Sequence, residues 1–414
     1  MLERKVRAAR NHIQSPSTQI GTELSLCPFP GELTPRSRDL VYKFILNIDE
    51  AVNQPSLCCQ PVDVSASIWI QYIFLDIAYF HQAVATSIKY NDSHFEKADD
   101  DTESLCHLSR AICLINEKIS GKDALYDTTI AAIVGLIGHE RLQNQHQTVM
   151  IHFKGLQRII ELRGGVTCLM SNAHLVDKIF RVDIELALYY GTTTQFHVGD
   201  VPGHILSKLR STVNQNQDQK TMNFQLTKVL STDLQEVLSD SLILTYALNN
   251  HDKLPMKLDA YSLQRTVMLI SYRLIQISQL ASPPLATDLE NMLHIALTAF
   301  TTTLFLGFGS TDLKAPLLAA LLRQLAQRYL PGDAECQKIF LWALFIERAS
   351  VFNDLDDRWI SPKVRKLIMT MNLHTWADVK NFLSTFPWID SVHGQNGREL
   401  WEKSEVNCIL PRED

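Results

Sequence analysis

The amino-acid sequence predicts an all-α protein, an irregular multi-helix bundle, on three observations. No proline occurs between Val62 and Val201, and because an interior proline costs a helix about 3 kcal/mol, that stretch permits long uninterrupted helices. Apolar residues recur every three or four positions over most of the chain, the period of a helix with one buried face. No segment shows sustained alternation of apolar and polar residues, and no fixed-period repeat is visible, so neither a sheet protein nor a regular solenoid is expected.

Taken in order, Met1 carries a small basic tail behind it, with Arg4, Lys5, Arg7 and Arg10 but no apolar run, which is not the pattern of a secretory signal. Residues 1–39 read as this flexible tail, residues 40–405 as one helical domain, and residues 406–414 as a second tail. Trp69, Ile73, Ile77, Phe80, Val84 and Ile88 form the first apolar stripe, and Leu105, Leu108, Ile112, Ile115 and Ile119 the second. The polar segment Tyr90 to Lys97 between them reads as a loop. Asp127 is expected to cap a third helix bearing Ile130, Ile133, Val134 and Ile137.

From Ile151 to Arg163, the residues Phe153, Leu156, Ile159 and Ile160 share a face, and Gly164-Gly165 follows at once. Glycine tolerates the left-handed conformation that commonly ends helices, so the pair predicts a stop. Another helix is expected from Leu175 to Tyr190, closed by Gly191. The run of amides within 211–225 cannot anchor a packed face and reads as an exposed loop. Helical patterns resume over Leu226 to Asn249, Ser262 to Leu280 and Thr287 to Leu306. A two-row apolar face from Leu317 to Leu330 ends at Pro331-Gly332.

The chain has 414 residues, 46% hydrophobic and 20% charged, a composition able to bury a large core and unlike that of disordered chains. Its 39 basic and 45 acidic side chains give a net charge of -6, which is not the concentrated positive surface that neutralises phosphates, so direct DNA binding is expected to be weak or absent. Eight cysteines without a regular framework suggest reduced thiols in a nuclear or cytosolic setting. Ile68 to Phe80, the most apolar early stretch, is shorter than the roughly 20 residues of a membrane helix, and no membrane partner is expected.

The run from His152 through Gly155-Leu156 to Arg163-Gly164-Gly165 resembles the signature of the fungal-specific transcription factor domain, the regulatory region of fungal zinc-cluster transcription factors. Ala111 to Lys118 and Asp127 to Leu136 are similar to the two helices before that signature. Lys178 to Gly191, with Arg181, Asp183 and Ala187, is similar to the helix after it. Trp342, Trp359, Trp376, Phe386-Pro387-Trp388 and Trp401 resemble the family's spaced tryptophans. The similarity spans roughly residues 40 to 405. Thr194-Gln195-Phe196 departs from it, since the family tends to place a proline before an aromatic residue there.

The resemblance implies a regulator of metabolic or secondary-metabolite genes, in the nucleus or in both nucleus and cytoplasm, acting through protein partners such as a DNA-binding transcription factor, through a homodimer, or through a small-molecule effector. The family's DNA-binding module needs two C-x-x-C pairs to hold shared zinc ions, and no C-x-x-C occurs in this chain. A regulatory domain standing alone and a truncated zinc-cluster factor both fit. Within the motif, Arg163 is expected to meet orphan carbonyls at its helix end and Gly164-Gly165 to turn the chain. His152 is expected at the start of its helix as a packing or capping residue, the tryptophans in the core, and Cys106 and Cys113 as ordinary helix residues.

Catalytic patterns are weak. Asp99-Asp100-Asp101-Thr102-Glu103 is similar to the magnesium-diphosphate motif of class I terpene synthases, whose hard cations suit carboxylates. Its expected second motif has only a poor counterpart at Asn353-Asp354, so a terpene-synthase-like lyase stands as the alternative. A solvated acidic loop before a helix starting near Ser104 is the simpler reading. His139, His146 and His152 are not spaced one turn apart as H-E-x-x-H requires, and Gly307-Phe308-Gly309 lacks the third glycine and the strand of a nucleotide fingerprint. No catalytic, cofactor-binding or metal-ligating residue is assigned, and the chain is not expected to be an enzyme.

Overall fold

The computed structural model describes residues 29–52, 60, 63, 67–95, 102–201, 205–216, 230–253, 258–305, 315–327, 334–350 and 356–406. Among them are sixteen α-helices and no strand, so the all-α expectation holds. One isolated bridge pairs Gln60 with Asp259. Contacts divide the chain into two compact units, the first from residues 1–50 and 63–168, the second from residues 51–62 and 169–414.

In the first unit, α1 (Pro35–Val52, of which residues up to Glu50 belong here) is followed by α2 (Ile68–Leu75), α3 (Ile77–Phe95), α4 (Thr102–Ile119), α5 (Asp127–Leu142) and α6 (His146–Arg163). α3 packs on both α4 and α5, and α5 packs on α6. Of residues 29–39, expected in the flexible tail, most are exposed, and some make packing contacts. The Phe29 ring stacks on Phe74 at 5.0 Å, and Ser37 is fully buried.

The stripe read from Trp69 to Ile88 spans two helices. Asp76 lies in extended conformation between α2 and α3, and its carboxylate accepts the backbone N–H groups of Ala78 and Tyr79, both at 3.0 Å. A polar residue that satisfies orphan donors restarts the helix without disturbing the apolar period. α3 then runs on to Phe95, through most of the expected loop from Tyr90 to Lys97, with the Asn91 amide donating to the Ser87 carbonyl at 2.7 Å.

α4 is rotated from its expected orientation. Leu105, Ile112 and Ile119 are exposed, while Ser104, Ala111 and Ile115 are buried. Small side chains explain this, because Ser104 comes close enough to α3 for its hydroxyl to donate to the Ala85 carbonyl at 3.2 Å. Cys106 and Cys113 are free thiols on the exposed side of this helix. At α5 the N-cap is Tyr126, and Asp127 is the first helical residue rather than the cap.

The second unit contains α7 (Ala173–Tyr190), α8 (Leu206–Asn216), α9 (Thr232–Asn249), α10 (Ala260–Ile277), α11 (Asp288–Thr302), α12 (Pro316–Gln327), α13 (Ala334–Ser350), α14 (Asp357–Thr370), α15 (Trp376–Leu383) and α16 (Asp390–Val406). α10 packs on α7, α9 and α11, and α13 joins α11 to α16. The first residues of the expected 211–225 loop are helical, because Leu206, Leu209 and Val213 fall on one buried face of α8. Asp259, Thr287 and Thr375 cap α10, α11 and α15 by accepting backbone N–H groups with their side chains.

Trp342 and Trp388 are buried in the core of the second unit with Phe386, whereas Trp359, Trp376 and Trp401, also expected in the core, are half-buried. Trp342 stacks on Phe386 at 5.3 Å, and its indole N–H donates to the Pro387 carbonyl at 3.1 Å. Residues 1–28, Lys97, Asp99–Asp101, residues 217–229, Gly307–Gly309, Pro331–Gly332, Asn353–Asp354 and residues 407–414 lie outside the described residues.

Candidate functional site

The signature residues of the first unit are held by α6 and its end. Phe153, Leu156, Ile159 and Ile160 are buried, and each such side chain contributes about 1.5–3 kcal/mol when removed from water. His152 is half-buried in the second turn, not at the helix start, and the N-cap is Gln145. Burial alone lowers the His152 pKa, favouring the neutral ring. Gly155 is exposed, and a Cβ there would meet nothing within 4 Å, so neither packing nor space calls for glycine at this position.

Gly164 and Gly165 end α6 as the sequence predicts, at φ 106° and 92°. The Gly165 N–H donates to the Ile160 carbonyl at 2.9 Å and the Gly164 N–H to the Glu161 carbonyl at 3.0 Å, the paired bonds of a Schellman turn. Arg163 does not turn back onto its own helix end. Its guanidinium donates to the Leu125 carbonyl at 2.9 Å and pairs with the Asp127 carboxylate, fastening the end of α6 to the start of α5. His152 and Arg163 are eleven residues apart on one helix, about 16 Å along its axis. They do not converge on a common point, and α6 is a structural element rather than a ligand constellation.

Asp183, in the second unit, also organises backbone. Its carboxylate accepts the Gln195 N–H at 2.8 Å, the Phe196 N–H at 3.0 Å and the Tyr272 hydroxyl at 2.8 Å. Burial raises its pKa, and these three donors oppose that shift. Asp183 thereby holds the Thr194-Gln195-Phe196 turn against α7 and α10. Gly191, ending α7 at φ 70°, is closely surrounded. A Cβ there would lie 2.4 Å from Leu317 and 2.8 Å from Ala281, and the Ala281 N–H donates to the Gly191 carbonyl at 3.2 Å.

That bond fixes the connection between α10 and α11, which forms one wall of a cleft of about 120 Å³ closed by α11 and α12. Ser278, Gln279 and Ser282 line it from the connection, Asn291 and His294 from α11, and Gln324 from α12. Among the described residues lining it, none is Asp, Glu, Lys or Arg. The Gln279 amide oxygen is occupied by the Ser282 hydroxyl at 2.8 Å.

His294 is the chemically pointed member of this cleft. It is only 3% exposed, and its Nε2 lies 2.9 Å from the Leu274 carbonyl. A carbonyl only accepts, so Nε2 carries the proton and Nδ1 is left as an acceptor. Burial lowers the ring's pKa, and the bond to Leu274 opposes that shift only partly, so the imidazole is neutral.

The cleft can exchange hydrogen bonds with a small molecule. Among the described residues, no group of three or more His, Cys, Asp and Glu side chains is placed to hold a metal ion, and no helix is long and apolar enough to cross a membrane. Glu103, the described carboxylate of the acidic run, accepts the hydroxyls of Thr34 and Ser37. No protein-family model, curated protein or solved structure matches the chain.

Sequence reasoning missed the cleft because its walls come from separate segments. His294 within the apolar run of α11 was the available signal, since a histidine flanked by buried aliphatic residues must find a partner for each ring nitrogen.

Proposed function

We propose that this chain is a transcription regulator-like protein that modulates metabolic or secondary-metabolite genes through a small effector or protein partners, and not through a zinc cluster of its own. The observation that carries this reading is the likeness to the fungal-specific transcription factor domain, spread in short motifs from about residue 40 to 405. The all-α architecture is compatible with it, and the uncharged cleft of the second unit offers an effector a place to bind. A net charge of -6 supports recruitment by a DNA-binding partner over direct contact with DNA.

Chromatin immunoprecipitation of the tagged full chain, with microscopy of its distribution, tests the reading. Nuclear accumulation and locus-specific chromatin association are expected. Exclusion from the nucleus together with no chromatin association removes it. The purified chain is expected to bind DNA weakly, and tight, sequence-selective binding would contradict the proposed dependence on a partner.

A further inference from the structure

We infer that the cleft between the α10–α11 connection and α12 binds an uncharged molecule of about one six-membered ring, which donates a hydrogen bond to His294 Nδ1 and exchanges hydrogen bonds with the Asn291 and Gln324 amides. The inference rests on the effector reading above and names the chemical class of the effector.

Size sets the first limit. A cavity of about 150 Å³ admits benzene, and this cleft of about 120 Å³ opens to solvent on one side, so a single ring with a polar substituent fills it. Charge sets the second. An anion would find no cationic side chain among the described lining residues, and a cation no carboxylate, while each would lose hydration on entering.

Polarity sets the third. His294 uses one nitrogen on Leu274 and presents the other as an acceptor on a ring that lines the cleft. Among the described residues, the Asn291 and Gln324 side-chain amides are not engaged by a protein hydrogen bond, and each offers a donor and an acceptor. Leu280, Ile295, Leu321 and Leu325 supply apolar contact for the ring. The complementary ligand thus has a flat apolar body and a neutral group that both donates and accepts, such as a primary amide or a hydroxyl.

Three nearly isosteric probes separate charge from shape: benzamide, benzoate and benzamidine. Saturation-transfer NMR with the full chain is expected to detect benzamide, with an affinity at least about tenfold tighter than either charged probe. Asn291→Ala and Gln324→Ala, at half-buried and exposed positions, are each expected to weaken benzamide about two- to tenfold, with an unchanged far-UV circular dichroism spectrum. The inference is overturned if benzamide gives no signal up to its solubility limit, if a charged probe binds as tightly, or if neither substitution affects binding. Failure of the probe in a chain that still associates with chromatin removes the cleft and leaves the regulatory reading. Benzamide binding by a chain excluded from the nucleus does the reverse.

Discussion

The guanidinium of Arg163, the last residue of α6, pairs with the carboxylate of Asp127, the first residue of α5. The same guanidinium nitrogen also donates to the Leu125 carbonyl, so one side chain closes the link between two packed helices. Charge-assisted bonds at a partly buried site are worth more than exposed pairs.

Arg163→Ala is therefore expected to lower the protection of α5 and α6 amides in hydrogen exchange by about 1–3 kcal/mol. Combining it with Asp127→Asn is expected to cost less than the sum of the two separate changes, the mark of a direct pair. Fully additive effects would show that the two side chains act separately.

Gly155 makes the opposite demand on α6. A methyl group there would meet nothing within 4 Å, and glycine inside a helix costs about 0.5–1 kcal/mol relative to alanine. Gly155→Ala is expected to raise α6 protection by that amount. A decrease would mean that the exposed face needs the bare backbone for a contact the isolated chain does not make.

How much of this was legible before the structure depends on the kind of signal. The end of α6 at Gly164-Gly165 and the end of α7 at Gly191 are local backbone requirements, and both were readable. The break between α2 and α3 was hidden because Asp76 interrupts the helix while leaving the apolar period intact. The rotation of α4 was hidden because Ser104 and Ala111 enter the core by being small, which a count of large apolar residues overlooks. α8 was obscured by the amides that follow Val213. The cleft depends on how the turn after α7 meets Ala281 and Leu317, about 90 and 126 residues further along the chain, and periodicity carries no information at that distance.

Gly191 links that turn to the cleft. Alanine there would have to adopt a left-handed conformation, costing about 1–2 kcal/mol, and would press on Leu317 and the backbone of Ala281. Overpacking adds about 1–3 kcal/mol. Gly191→Ala is expected to lower the protection of α7 and α12 and to weaken benzamide binding by moving the α10–α11 connection. Unchanged protection in both helices would show that the turn yields without strain.

Glu347, on α13, is fully buried, and neither carboxylate oxygen has a hydrogen-bond partner among the described residues. Desolvation pushes its pKa well above the ordinary 4.5. Between the unfolded value and the raised folded one, the native chain holds the extra proton, so its contribution to stability declines as pH rises. Glu347→Met removes the ionisable group at similar volume. It is expected to stabilise α13 by about 1–3 kcal/mol at neutral pH, with a smaller gain near pH 4.5, as measured by hydrogen exchange across that range. A gain independent of pH would show that Glu347 does not bind the proton.

His393, at the start of α16, imposes the reverse dependence. Its Nδ1 accepts the Ile389 N–H at 3.0 Å, and its Nε2 lies 2.9 Å from the Thr303 hydroxyl. That hydroxyl donates to the Phe300 carbonyl at 2.7 Å, so it must accept from Nε2–H, and the network requires the neutral ring. Burial lowers its pKa from 6.5 to about 3. The unfolded chain takes up a proton near pH 6.5 that the folded chain refuses until about pH 3, so stability present above 6.5 is lost as pH falls through that interval. His393→Gln removes the titration while keeping a polar side chain. The variant is expected to be less stable than the parent at pH 7.5, since the two ring bonds are not both restored, yet to lose less protection in α11 and α16 between pH 6.5 and 4. Parallel losses in the two chains over that interval would show that the acid sensitivity of these helices comes from another group.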